Sequence, residues 1–135
     1  MTIIVCLDNN NGMLFNHRRQ SRDGNIIKDI ETTVGSSVVF ANSYSESLFA
    51  ETSINLKVDE NFLHNAGCAD FCFVENISTQ AYKAQIAKLI IYKWNRDYPS
   101  DFRFDIDYGN DFKLESSVDF IGTSHEKITK EVYVR

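Results

Sequence analysis

Arg18, Arg19 and Arg22, with His17 beside them, form the one basic cluster of an acidic chain. Guanidinium forks match carboxylates and phosphates two hydrogen bonds at a time. A small anion held by these three arginines is therefore the first ligand to expect. Other constellations carry less. His64, Cys68 and Cys72 fall at i, i+4 and i+8, which would align them as metal ligands on a helix. Cys72, however, lies inside the strand-like stretch Asp70–Val74, and a zinc site needs a fourth ligand and closely spaced pairs. Asp8-Asn-Asn-Asn-Gly12 has the flavour of a calcium loop, but its twelfth position, where a bidentate glutamate belongs, is Arg19. It reads as a tight turn. No metal is expected. Asp97, Asp101, Asp105, Asp107 and Asp111 flank an aromatic-rich stretch and read as a solvated acidic face. No serine or cysteine nucleophile sits in a recognisable motif, and there is neither a P-loop nor an H-E-x-x-H.

The elements that must position these groups belong to a chain of 135 residues, of which 43% are hydrophobic and 24% charged, with a net charge of −5. One domain spanning residues 1–135 is the expectation for that length. The negative balance disfavours nucleic acid as a partner. No apolar run approaches the roughly 18 residues of a membrane span, and Thr2–Leu7 is too short, and lacks the basic lead, for a signal peptide. Cys6, Cys68 and Cys72 are an odd count flanked by small or apolar residues. They read as buried free thiols, which points to a cytoplasmic protein.

Thr2–Leu7 is a continuous apolar run closed by Asn11-Gly12, as in a strand buried on both faces. Ile26, Ile27 and Ile30 give one apolar stripe to a helix over residues 21–33, with Asp23 as its cap and Gly35 as its stop. Strands are expected at 37–40, 54–58, 70–74 and 89–94, with short helices at 44–50 and 78–87. After Pro99, alternation at Phe112, Leu114, Val118 and Phe120 and again over 128–134 predicts an antiparallel hairpin joined by the polar segment Gly122–Lys127. Strand–helix alternation followed by antiparallel strands defines an α/β fold with a mixed sheet.

Several strings in this order resemble dihydrofolate reductase. Ile3-Ile-Val-Cys-Leu-Asp-Asn-Asn-Asn-Gly-Met13 resembles that family's first strand and the loop over the nicotinamide. Thr33-Val-Gly-Ser-Ser-Val-Val-Phe-Ala-Asn-Ser-Tyr-Ser-Glu-Ser-Leu48 is similar to its T-x-G-K-P-V-I-M-G-R-x-T-W-E-S-[IL] stretch. Ser100-Asp-Phe-Arg-Phe104 stands where the family has G-D-T-x-F, and Glu131-Val-Tyr-Val-Arg135 resembles its last strand. The resemblance covers about three quarters of the chain and implies a three-layer αβα fold.

It also implies where the site residues belong, and there the chain departs from the pattern. The family's proton-donating carboxylate on the first helix falls on Asn25 when counted back from Thr33. Asp23 takes that role if the register slips. Asp23 and Asn25 are thus the candidate catalytic residues, although an amide supplies no titrating proton. The family's Pro-Trp ahead of that carboxylate is Arg19-Gln20 here. The G-R-x-T turn is Ala41-Asn-Ser-Tyr44, and the glycine-rich phosphate turn is Val74-Glu75-Asn76. Glycines there would let backbone N–H groups reach a pyrophosphate, whereas Glu75 would set a negative charge against it. No intact cofactor site and no NADPH binding in the usual mode are expected. The leading expectation is a non-catalytic or repurposed binding domain for a small anionic ligand at Arg18, Arg19 and Arg22. The alternatives are a divergent NAD(P)H-dependent oxidoreductase of pterin or folate type, and a module that binds another protein or a second copy of itself.

Overall fold

The computed structural model describes residues 1–135. Its centre is β1 (Thr2–Leu7), where Ile3, Ile4, Val5 and Leu7 are all buried because both faces of the strand are covered. The chain turns back through β2 (Gly12–Phe15) and β3 (Arg18–Arg19) and enters α1 (Gly24–Val34). It then alternates β4 (Val38–Ala41), β5 (Asn55–Val58), the one-turn α2 (Phe62–Asn65), β6 (Phe71–Phe73) and β7 (Lys88–Lys93). The last part comprises β8 (Phe102–Arg103), the one-turn α3 (Tyr108–Asp111), β9 (Lys113–Phe120) and β10 (Ile128–Val134). Three-ten turns cover Glu46–Phe49 and Gln80–Gln85, where the sequence predicts short helices.

One seven-stranded sheet runs in the order β5-β4-β6-β1-β7-β10-β9 and takes strands from both ends of the chain. β1 is parallel to β6 and β7, while β10 is antiparallel to β7 and β9. The expected mixed α/β sheet with a C-terminal antiparallel hairpin is what forms. A small second sheet, β3-β2-β8, was not foreseen, since its strands are too short to show alternation.

Alternate residues of the strands feed two cores. Ile4, Val39 and Ile90 meet Ile26, Ile30 and Val34 of α1 on one face. Ile3, Val5 and Ile91 meet Phe62 of α2, Leu14 and Phe104 on the other. The layers are unequal: α1 dominates the first, whereas one-turn helices and the small sheet cover the second. β9 departs from expectation too. Leu114 and Val118 are exposed, because β9 is the outer strand and Glu115 is an extra residue opposite the Val132/Tyr133 step, which breaks the alternation. Cys68 is exposed, Cys6 half-buried and Cys72 buried, so only one thiol is sealed in the core. No helix is long and apolar enough to cross a membrane.

Candidate functional site

A narrow cleft with about 30 Å³ of free space opens between the N-terminal end of α1, the C-terminal ends of β1 and β6, and the segment Arg19–Asp23. Its apolar walls are Ile26 and Ile27 from α1, Met13, Leu48, Phe73 and Trp94. Opposite them stand Arg19, Gln20, Arg22 and Glu75. That is room for one or two waters between the walls as they stand.

The arginines do not converge. Asn16 and His17 both adopt left-handed backbone (φ 51° and 63°), making a two-residue turn that pairs Phe15 with Arg18 and Leu14 with Arg19. The basic segment is thus a hairpin arm. Arg18 lines a second groove, shared with Arg19, Phe15 and Tyr98, and is not part of the cleft lining. Arg19 reaches across the cleft instead. Its Nε and Nη2 donate to the two carboxylate oxygens of Glu75 at 2.8 and 2.9 Å, and Nη2 also donates to the Tyr44 carbonyl at 3.2 Å. The guanidinium lies 4.8 Å from the Tyr44 ring centre. Bonding to Glu75 raises the Arg19 pKa against the opposing pull of burial, so the group is fully charged. Ser45, itself buried, donates its hydroxyl to Glu75 at 2.7 Å. Arg22 alone remains at the cleft without an ion pair.

The turn where the resemblance places phosphates is therefore filled by side chains. Asn42 donates to the Asn76 side chain at 2.7 Å, and the carboxylate of Glu75 occupies the nearest guanidinium. A phosphate would meet that carboxylate before any free cation. The Arg19–Glu75 pair is closed on itself, so it offers a phosphate no free positive charge. The residues present do not suit a dinucleotide's phosphates.

Asp23 is held from several sides. It is the N-cap of α1, accepting the Asn25 N–H at 2.9 Å. It also accepts N–H groups from Thr123 and Ser124 at 2.9 and 3.0 Å, and the Ser124 hydroxyl at 3.2 Å. His125 Nδ1 lies 3.1 Å from Asp23 Oδ2, with both side chains essentially inaccessible. Burial alone would raise the Asp23 pKa. The N–H groups of Ser124 and Thr123, the His125 ring and the Asn25 N–H outweigh it and hold the carboxyl well below the usual range. A carboxylate so saturated keeps no proton to give near neutrality. Asn25 points elsewhere, donating to the Ile121 carbonyl at 2.8 Å, so α1 presents Ile26 and Ile27 to the cleft instead.

With Asp23 ionised, the Nδ1 proton of His125 is the one that fits, which leaves Nε2 to accept the Tyr98 hydroxyl at 2.8 Å. The imidazole stacks on Trp94 at 4.6 Å between centres. This Asp23–His125–Tyr98 chain clamps the β9–β10 connection onto the start of α1 and backs the cleft wall at Trp94. Sequence reading missed it: residues about a hundred positions apart carry no shared local signal. Gly122 lies so close to Asp23 that an added Cβ would collide with the carboxylate, whereas one at Gly109 meets nothing within 4 Å. Gly122→Ala is therefore expected to lower the melting temperature by several degrees and Gly109→Ala to leave it nearly unchanged, as read by thermal denaturation. Equal melting temperatures would remove the close-packed clamp.

The Cys6 thiol also lines the cleft. Burial first, then the nearby charges of Glu75 and Asp23, pushes its pKa up, so it is a poor nucleophile. No group of three or more His, Cys, Asp or Glu side chains is gathered for a metal ion.

Compared with known proteins, the chain matches no protein-family model and no curated protein sequence. Among solved structures it is similar to dihydrofolate reductase from Enterococcus faecalis, a structure described as complexed with NADP(H) and RAB-propyl. The TM-score is 0.65 at 11% identity, covering 99% of this chain and 95% of that one. The fold is therefore dihydrofolate-reductase-like, and the sequence is far diverged.

Proposed function

We propose that this chain is a non-catalytic binding protein for a small apolar molecule bearing one anionic group, built on a dihydrofolate-reductase-like fold. The observation that carries this reading is the Arg19–Glu75 pair across the cleft. It consumes the cation and places a carboxylate where a reductase of this fold would need room for phosphate. Two further features support it. Asp23 is committed to five donors and held ionised, and the cleft face of α1 carries isoleucines in place of a proton donor. What remains is an apolar cleft with one uncompensated cation, Arg22. That combination suits a carboxylate on a small hydrocarbon body that parts the cleft walls as it enters. Of the three arginines expected to hold an anion, Arg22 carries the role in this reading. Arg19 shapes the wall, and Arg18 stands outside it.

Calorimetric titration with arylacetates tests the proposal. Binding is expected, and Arg22→Ala should weaken it about tenfold, the usual loss for a charge-assisted hydrogen bond. NADPH at millimolar concentration should leave the melting temperature unchanged. Stabilisation by NADPH, which at 100 times its dissociation constant would add about 2.7 kcal/mol, would overturn the reading and favour a divergent reductase.

A further inference from the structure

The two edges of the large sheet differ. β5 closes one edge with four residues, and β9 closes the other with eight. Beyond the ladder that joins Lys113–Phe120 to β10, no N–H or C=O of β9 takes part in a backbone hydrogen bond. Three of the five large apolar side chains exposed on the protein also lie on β9 or directly after it. They are Leu114 (53% exposed), Val118 (57%) and Ile121 (76%). A long, apolar free edge is a template for another strand unless a charge, proline or bulge blunts it. The bulge at Glu115 lies toward one end and leaves Ser116–Phe120 regular.

The residues of that edge select what pairs with it. Directly opposed residues of antiparallel strands share a face of the sheet. Pairing with β10 puts Ser116, Val118 and Phe120 on the α1 face, with Ser117 and Asp119 on the other. A second β9 must therefore pair about an axis through one residue. Centring on Ser117 sets Glu115 against Asp119, and centring on Asp119 sets that carboxylate against its twin. Like charges so opposed are destabilising. Centring on Val118 avoids both. Val118 then meets Val118, Ser116 meets Phe120, and the Ser117 hydroxyl meets the Asp119 carboxylate, twice by symmetry. Leu114 comes near Ile121 of the partner subunit. We infer that this chain forms a two-fold dimer by antiparallel pairing of β9 with β9 about Val118, which continues the sheet across two copies. Such a contact is closed and adds no third copy. It is independent of any ligand in the cleft.

Sedimentation equilibrium of the whole chain tests the inference. The wild type is expected to be mainly dimeric at about 100 μM, with a dissociation constant of about 10 μM or tighter. Val118→Lys sets two ammonium groups face to face on the axis and should weaken association at least about tenfold. Ser117→Lys, one residue away, sets each ammonium against Asp119 and should tighten it. Equal net charge with opposite outcomes separates register from overall charge. Val58→Lys, on the other edge, should change nothing, and circular dichroism confirms that each variant is folded. A wild type that stays monomeric at about 100 μM overturns the inference without recourse to any variant. A dimer indifferent to Val118→Lys, or one broken by Val58→Lys, also overturns it. Lysine effects of the same sign at 117 and 118 would overturn the pairing about Val118.

Discussion

Asp23→Asn is expected to destabilise the fold by about 1–3 kcal/mol, the cost of leaving buried donors without their acceptor. The size follows from position. One carboxylate with no accessible surface caps α1, takes two N–H groups and a hydroxyl from the β9–β10 connection, and faces His125. An asparagine has the same shape but turns an NH2 toward groups that are themselves donors. Urea denaturation of the two proteins measures the difference, and a cost below about 1 kcal/mol, within the range of ordinary surface changes, would mean the clamp is not cooperative.

The same residue makes a pH prediction with a definite sign. The folded pKa of Asp23 is depressed, while the unfolded chain has an ordinary value near 3.9. Above that value the stabilisation is fully present. As pH falls below about 4, the unfolded chain takes up a proton that the folded chain resists, and stability is lost progressively down toward the folded pKa. The difference in stability between wild type and Asp23→Asn should therefore be constant near neutrality and shrink only below about pH 4. A gap independent of pH down to pH 2 would show that folding does not depress the Asp23 pKa.

The second large effect is expected at the ion pair across the cleft. Arg19→Leu leaves the Glu75 carboxylate, 11% exposed, with only Ser45 as a side-chain donor. The loss is expected to be about 2–3 kcal/mol, less than for a fully buried pair because Arg19 itself is 23% exposed and partly screened. Replacing both partners, as Arg19→Leu with Glu75→Leu, should recover most of it, because no charge is left unpaired. The double-mutant cycle reads this directly as a coupling energy. Additive losses would mean that the two residues act independently and that the arm Gly12–Arg19 is held by other contacts.

The arm shows the boundary between local and tertiary information. The type of residue at 18, 19 and 22 marked a basic cluster in the sequence, and nothing local showed that the three would not converge. Strand pairing across Asn16-His17 places Arg18 outside the cleft and Arg19 in it, and Glu75, fifty-six positions away, decides that Arg19 is paired. Gln20 is a polar residue without distinction in the sequence. Only the approach of Asp8 and Pro99 fixes its amide.

The architecture was far more legible. The apolar run Thr2–Leu7, the isoleucine stripe of α1 with its Asp23 cap and Gly35 stop, and the alternating tail over 128–134 all formed where periodicity placed them. Burial patterns of period 2 and 3.6 are written into consecutive residues, so they survive without knowledge of partners. The chain's own order of residues thus determined its strands, its main helix and its likeness in fold to dihydrofolate reductase. The tertiary structure decided that Asp23 binds the β9–β10 connection, that Arg19 closes on Glu75, and that Arg22 and Gln20 line the cleft. Those outcomes depend on which charges and donors meet across long sequence separations, and electrostatic and hydrogen-bond energies are set by distances that only folding creates.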